Sequence, residues 1–273
     1  MLITIIFITI LGAIMGSFLG CMGYRIPNKI KTTYPSSFCE SCHHPLKWYM
    51  NIPILSYIIL KGKCAYCGKQ IEFIYPFVEI AGALLFLCNY LLFGFTYNFF
   101  ICTIITCMLL VTIVSDFMYY YISDRVLVIG SLALLAVNYY FLTINQVFYN
   151  IIAAVIIFGI MYFIKICGNI TFKKESLGDG DIKLMGVIAL GLGLINSFVT
   201  LFFGSLIGLI FSIFSIKKNK DGIIPFGPFL LIGALVALYF SNLITPLIDK
   251  FIIGWRILFF HTTFALLFNI LVL

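Results

Sequence analysis

Two kinds of residue in this 273-residue chain are spaced as if for chemistry: aspartates at the ends of apolar runs, and cysteines in close pairs. Only ten Asp and Glu occur in all, yet SDFMYYYISD carries Asp116 and Asp124, and GDGD carries Asp179 and Asp181. A carboxylate beside lipid is expensive and is kept where it has a task. Asp116 closes one apolar run and Asp181 opens another, so two acids remote in sequence can share one membrane depth. Two such carboxylates within a few ångströms cannot both ionise comfortably; one holds a proton while the other is a base. That arrangement activates water for peptide hydrolysis without a metal or a covalent intermediate. The helix macrodipole favours the neutral acid at a C-terminus and the carboxylate at an N-terminus, so the expectation is Asp181 as base and Asp116 as acid, in a pair that titrates as a unit. Gly178 and Gly180 permit positive φ and close approach of a substrate backbone. Taken alone, GDGD is better read as a glycine-rich turn with a capping Asp. Asp124 and Asp179 look like helpers, Asp124 as an N-cap. Glu79 is balanced between an interfacial residue and part of a site.

The cysteine pairs are FCESC, with Cys39 and Cys42, and KCAYC, with Cys64 and Cys67. Two Cys-x2-Cys turns brought together by a hairpin offer four thiolates to one tetrahedral ion, and four thiolates close the site, so a structural Zn2+ is expected. Disulfide or redox use is the weaker alternative, because the charge distribution below puts the region in a reducing compartment. The surrounding segment has few large apolar residues outside NIPILSYIIL, so metal binding would supply folding energy that packing cannot. His43 and His44 are expected to be surface polar residues rather than ligands.

The elements that must position these groups are membrane helices. The chain is 63% hydrophobic and 10% charged, with a mean hydropathy of +1.14, whereas a soluble surface needs roughly a quarter charged residues. Apolar runs recur at about 2–22, 75–95, 97–115, 125–143, 147–167, 182–216, 224–243 and 251–273. The run 182–216 is too long for one crossing and breaks at GLGLINS, 191–197. The fold expected is an all-α polytopic membrane protein of about eight transmembrane helices, with 251–273 a possible ninth, and a small cytoplasmic zinc-ribbon-like insert. Its parts are a first transmembrane helix at 1–22, the tetracysteine insert at 23–74, and a multi-helix domain at 75–273 that carries both aspartates. No basic segment precedes the first run, which argues for a retained helix over a cleaved signal. All of the 17 Lys and Arg except Lys250 and Arg256 lie in or beside odd-numbered connections, which are therefore expected to be cytoplasmic, with the N-terminus outside. The net charge of +7 then reports topology and contact with anionic lipids, and gives no reason to invoke nucleic acid.

In order along the chain, GSFLGCMGYRIP at 16–27, the two Cys-x2-Cys pairs, WYMNIPILSYIILKGKC at 48–64, YPFVE at 75–79, the D-x7-D of Asp116 and Asp124, GDGDIKL at 178–184 and IPFGPFL at 224–230 resemble the bacterial type IV prepilin peptidases of the GxGD aspartyl protease group. The resemblance implies that Asp116 and Asp181 match that family's catalytic aspartates. It implies cleavage of the basic leader of prepilins or pseudopilins at the cytoplasmic face of the bacterial cell (inner) membrane, then N-methylation of the new N-terminal residue with S-adenosylmethionine as donor. Lys183 matches the basic position of GxGDxK, with a supporting or lipid-anchoring role. Ser123 stands where the family has Pro, and the segment 251–273 is extra to its eight-helix pattern.

Two other functions fit part of this pattern. Another GxGD intramembrane protease would share the aspartates but not the tetracysteine insert or WYMNIPILSY. A proton-coupled transporter with a zinc docking module would place its acids nearer the bilayer midplane than at helix ends.

Overall fold

The computed structural model describes residues 1–32, 34–215, 224–244, 246 and 250. Its helices are α1 (Leu2–Arg25), α2 (Leu55–Ile59), α3 (Ile74–Phe93), α4 (Tyr97–Tyr119), α5 (Asp124–Phe141), α6 (Ile144–Phe172), α7 (Asp179–Ser215) and α8 (Gly227–Tyr239), with a 3-10 turn at Trp48–Asn51. Among the described residues there is no β-strand, only two isolated antiparallel bridges in the insert, Phe38 with Pro45 and Lys63 with Gln70. The all-α membrane architecture expected from hydropathy is thus the one observed.

Six of these helices, α1 and α3 to α7, are long and apolar enough to cross a membrane. At 1.5 Å per residue, about 20 residues span the hydrocarbon core. Helix α7 has 37 residues and is broken at Gly193, whose φ of 73° and ψ of −178° are not helical. The break expected within 191–197 is therefore real, and only glycine adopts that backbone without strain. The expected span at 224–243 is shorter than its apolar run: α8 has 13 residues, beginning after Pro225 with Pro228 in its first turn. The possible ninth span, 251–273, lies outside the described residues.

Helix α4 is the axis of the bundle, with 72% of its span buried against 17% to 33% for the other five. It packs on α1, α3, α5 and α8, while α7 packs on α5, α6 and α8. In lipid the apolar effect does not drive helices together, and close packing through small residues does. The α1–α3 contact shows this: a Cβ on Gly12 would lie 2.5 Å from the Gly82 carbonyl oxygen, and one on Gly16 would lie 2.7 Å from that of Val78.

The helix ends set the site. The C-terminal ends of α1, α4 and α6 and the N-terminal ends of α3, α5, α7 and α8 alternate along the chain, as successive crossings require, and so fall on one face. Asp116 lies one turn before the end of α4, and Asp181 is the third residue of α7.

Candidate active site and metal centre

Asp116 and Asp181 are 5% and 9% exposed, the lowest of any acid described. The connection after α4, residues 121–123, carries Ile122 against Gly180 and Gly227, the neighbours of the two acids. Its side chain would be 2.9 Å from a Cβ on Gly180, beside Asp181, and 2.7 Å from one on Gly227. Gly227 opens α8 and donates its backbone N–H to Asp116 Oδ2 at 3.1 Å. The acids are near enough for the charge of Asp116 to act on Asp181. Asp181 Oδ1 is buried with no hydrogen-bond partner, while Oδ2 lies 3.1 Å from where a Gly178 Cβ would be. Both glycines of GDGD thus make room, one for a carboxylate and one for Ile122.

Among the described residues, no cation neutralises this pair. The three ion pairs among the described residues take the nearby lysines elsewhere: Lys165 Nζ to Glu175 Oε1 (3.0 Å) and Asp179 Oδ1 (2.6 Å), and Lys183 Nζ to Asp124 Oδ1 (2.7 Å). Two adjacent buried carboxylates without a cation are stable only if they share a proton. Asp179 and Asp124 are exposed helpers, as their positions in sequence imply, but each is a strut rather than a cap. Asp124 is the first residue of α5, the N-cap position belongs to Ser123, and no side-chain cap bond forms there. The Asp124–Lys183 pair ties α5 to α7, and the Asp179–Lys165 pair ties α7 to α6.

The insert brings its four cysteines together as the spacing requires. The sulfurs of Cys39, Cys42, Cys64 and Cys67 all lie within 4.8 Å of one another. Each pair sits in the same turn: Cys39 N–H donates to His44 O and His43 N–H to Cys39 O, while Cys64 N–H donates to Lys69 O and Gly68 N–H to Cys64 O. His43 and Gly68 hold equivalent positive-φ positions, 55° and 71°. Cys39 and Cys67 Sγ are 3.9 Å apart, too far for a disulfide and close to the roughly 3.8 Å edge of a tetrahedron with metal–sulfur bonds of about 2.3 Å. Burial pushes the Cys39 thiol up, but hydrogen bonds from the Cys42 and Ser41 backbone and from neighbouring thiols outweigh it and hold it at about 7. The His44 N–H lowers Cys42, yet desolvation and the other three thiols push it up to about 11. One thiolate forms readily and the next is resisted, which is the electrostatic situation a bound cation resolves. His43 and His44 are not in the cluster; His44 stacks on Tyr66 at 3.8 Å.

Glu79, balanced in sequence between an interfacial residue and part of a site, makes a defined contact here, and so does Glu40. Glu79 Oε2 accepts the Ile54 N–H at 2.7 Å, and Glu40 accepts the Tyr75 hydroxyl. Both acids latch the insert to α3. Ile54 is β-branched and sits at φ 65°, ψ −50°, which no pattern of residue types announces.

Residues 10–93 match the bacterial peptidase A24 N-terminal domain, and residues 103–213 match the type IV leader peptidase family. The chain is 30% identical over 248 residues to a prepilin leader peptidase/N-methyltransferase of Bacillus subtilis strain 168, covering 90% of this chain and 98% of that protein. It is 29% identical over 268 residues to the protein of the same name from Pseudomonas aeruginosa, covering 86% of this chain and 90% of that one. A type 4 prepilin-like proteins leader peptide-processing enzyme of Escherichia coli O78:H11 is 28% identical over 257 residues, covering 86% and 93%. No solved structure matches the chain. The extent of these matches, over a helical bundle that buries two acids at one face, means that the chain is an enzyme of the type IV leader peptidase family.

Proposed function

We propose that this protein cleaves the basic leader of type IV prepilins or prepilin-like proteins at the cytoplasmic membrane face, with Asp116 and Asp181 activating water, and then N-methylates the new N-terminal residue. The observation that carries the first step is the burial, at one helix-end face and without a cation among the described residues, of two acids from distant parts of the chain. One carboxylate takes a proton from water, whose oxygen attacks the scissile carbonyl carbon. The other acid gives its proton to the carbonyl oxygen, and proton return to the departing amine breaks the C–N bond. The helix dipoles favour Asp116 as the acid, whereas the Gly227 N–H gives Asp116 a donor suited to a carboxylate. The pair is therefore treated as holding one shared proton.

The structural parts follow the same reading. The first helix, the insert at 23–74 and the bundle from 75 onward act as anchor, docking module and catalytic body. The cysteine cluster holds a structural Zn2+ through Cys39, Cys42, Cys64 and Cys67, all four positions being filled by protein. S-adenosylmethionine supplies an electrophilic methyl group on a sulfonium sulfur when bound. Anionic lipids contact the basic odd-numbered connections.

The test is product mass. Incubated with a prepilin and S-adenosylmethionine, the purified protein is expected to yield a chain lighter by its leader and heavier by one methyl group. An uncut prepilin contradicts the reading; a cut but unmethylated product reduces it to a peptidase.

A further inference from the structure

A cavity of about 1040 Å³ lies between the insert and the paired helix ends of α1 and α3, and it extends to Tyr119 at the end of α4. That size suits a drug-sized ligand together with the end of a peptide. Two half-buried acids line it, Glu40 and Glu79, in a region whose connections are otherwise rich in Lys and Arg. Glu79 is fixed by the Ile54 N–H, and Ile54 is held at φ 65°, ψ −50°, a positive-φ turn conformation that costs a β-branched residue of order 1–3 kcal/mol. Strain kept beside a carboxylate that faces a cavity is a mark of function rather than of packing. Glu40 is fixed by Tyr75, and Tyr24, Tyr57 and Tyr119 add aromatic rings to the wall, which attract cations and stack on flat heterocycles.

We propose that this cavity is a methyl-transfer chamber, in which Glu79 receives the ammonium of the newly freed N-terminal residue while Glu40 and the tyrosines face the sulfonium of an S-adenosylmethionine-type donor. Both ligands are cations, and the chamber offers ring faces and three carboxylates, Glu40, Glu79 and the exposed Glu72, against two cations, Lys69 and Arg25, the latter donating to the Lys31 and Thr32 carbonyls. Glu79 takes one proton from the ammonium. The amine lone pair then forms the N–C bond to the methyl carbon, and the C–S bond breaks with its electron pair left on sulfur as a neutral thioether. Water carries the proton from Glu79. Tyr119 is three residues beyond Asp116 on the same helix, a rise of about 4.5 Å, so the end freed at the aspartates lies beside the chamber. The inference rests on the methyl-transfer reading above and gives it a location.

Photo-crosslinking of radiolabelled S-adenosylmethionine to the intact purified protein, followed by peptide mapping, is expected to label segments within 14–25, 35–41, 50–57 or 69–79, or Tyr119. Label confined to other segments overturns the chamber and leaves methyl transfer standing. No saturable donor binding and an unmethylated product overturn both. Separately, Glu79→Gln is expected to slow methylation about a hundredfold at saturating donor with little change in donor affinity, and Glu79→Asp to recover part of the rate. Undiminished methylation by E79Q overturns the role of Glu79, and the mapping on the unaltered protein stands whether or not that variant folds.

Discussion

At the scale of residues, the acids of this chain divide by burial and by partner. Asp116 and Asp181 are buried and face each other's charge; Asp124 and Asp179 are exposed and paired to lysines. Exposed pairs contribute little, so Asp179→Asn and Asp124→Asn should each leave leader cleavage within about fivefold of the parent in a peptide assay. The contrast was legible in part: GDGD beside an apolar run singles out the segment, and the spacing to Asp116 gives its partner. The cap expected at Asp124 was not found, because Asp124 is already the first residue of α5 and the N-cap position falls to Ser123, leaving its carboxylate to pair with Lys183. Glu40 and Glu79 were harder to read, since their roles depend on Tyr75 and on the Ile54 backbone, contacts across 35 and 25 residues that leave no local pattern.

At the scale of elements, two devices hold the site in place. The first is the cysteine cluster, whose knuckles could be read from spacing alone because each Cys-x2-Cys closes its own turn. Metal analysis should find about one zinc per chain, and Cys64→Ser should remove it. Zinc must displace protons from these thiols, so its affinity should fall as pH drops, already where Cys42 is protonated below about 11 and more steeply below about 7, where Cys39 is protonated as well; competition with a chelator across pH measures this, and flat affinity from pH 8 to 5.5 would contradict it. The second device is the glycine seam of α1 against α3. Gly16→Leu would drive a side chain into the Val78 carbonyl, and overpacking of about 1–3 kcal/mol should lower the melting midpoint in detergent by several degrees. The motif GSFLG was visible in sequence, but its partner Gly82 was not, because helix register across lipid is fixed by shape complementarity that composition does not encode.

At the scale of the whole molecule, hydropathy gave the helices and charge gave an orientation, while the length of one element escaped it. The break at Gly193 was foreseen from the surplus length of one apolar run; the shortness of α8 was not, because the run from 224 is apolar before its helix begins. Reporter fusions should place residue 70 on the cytoplasmic side and residue 145 outside. The bundle brings α4, α5, α7 and α8 together at one face, and its central consequence is the meeting of two acids that the chain separates widely. The most direct test is cleavage of a prepilin by the Asp116→Asn and Asp181→Asn proteins, followed by mass spectrometry, with zinc content as the check on folding. Each variant should lose about a thousandfold or more of the leader-cleavage rate while keeping its zinc. Cleavage at the parent rate by either variant would contradict the account.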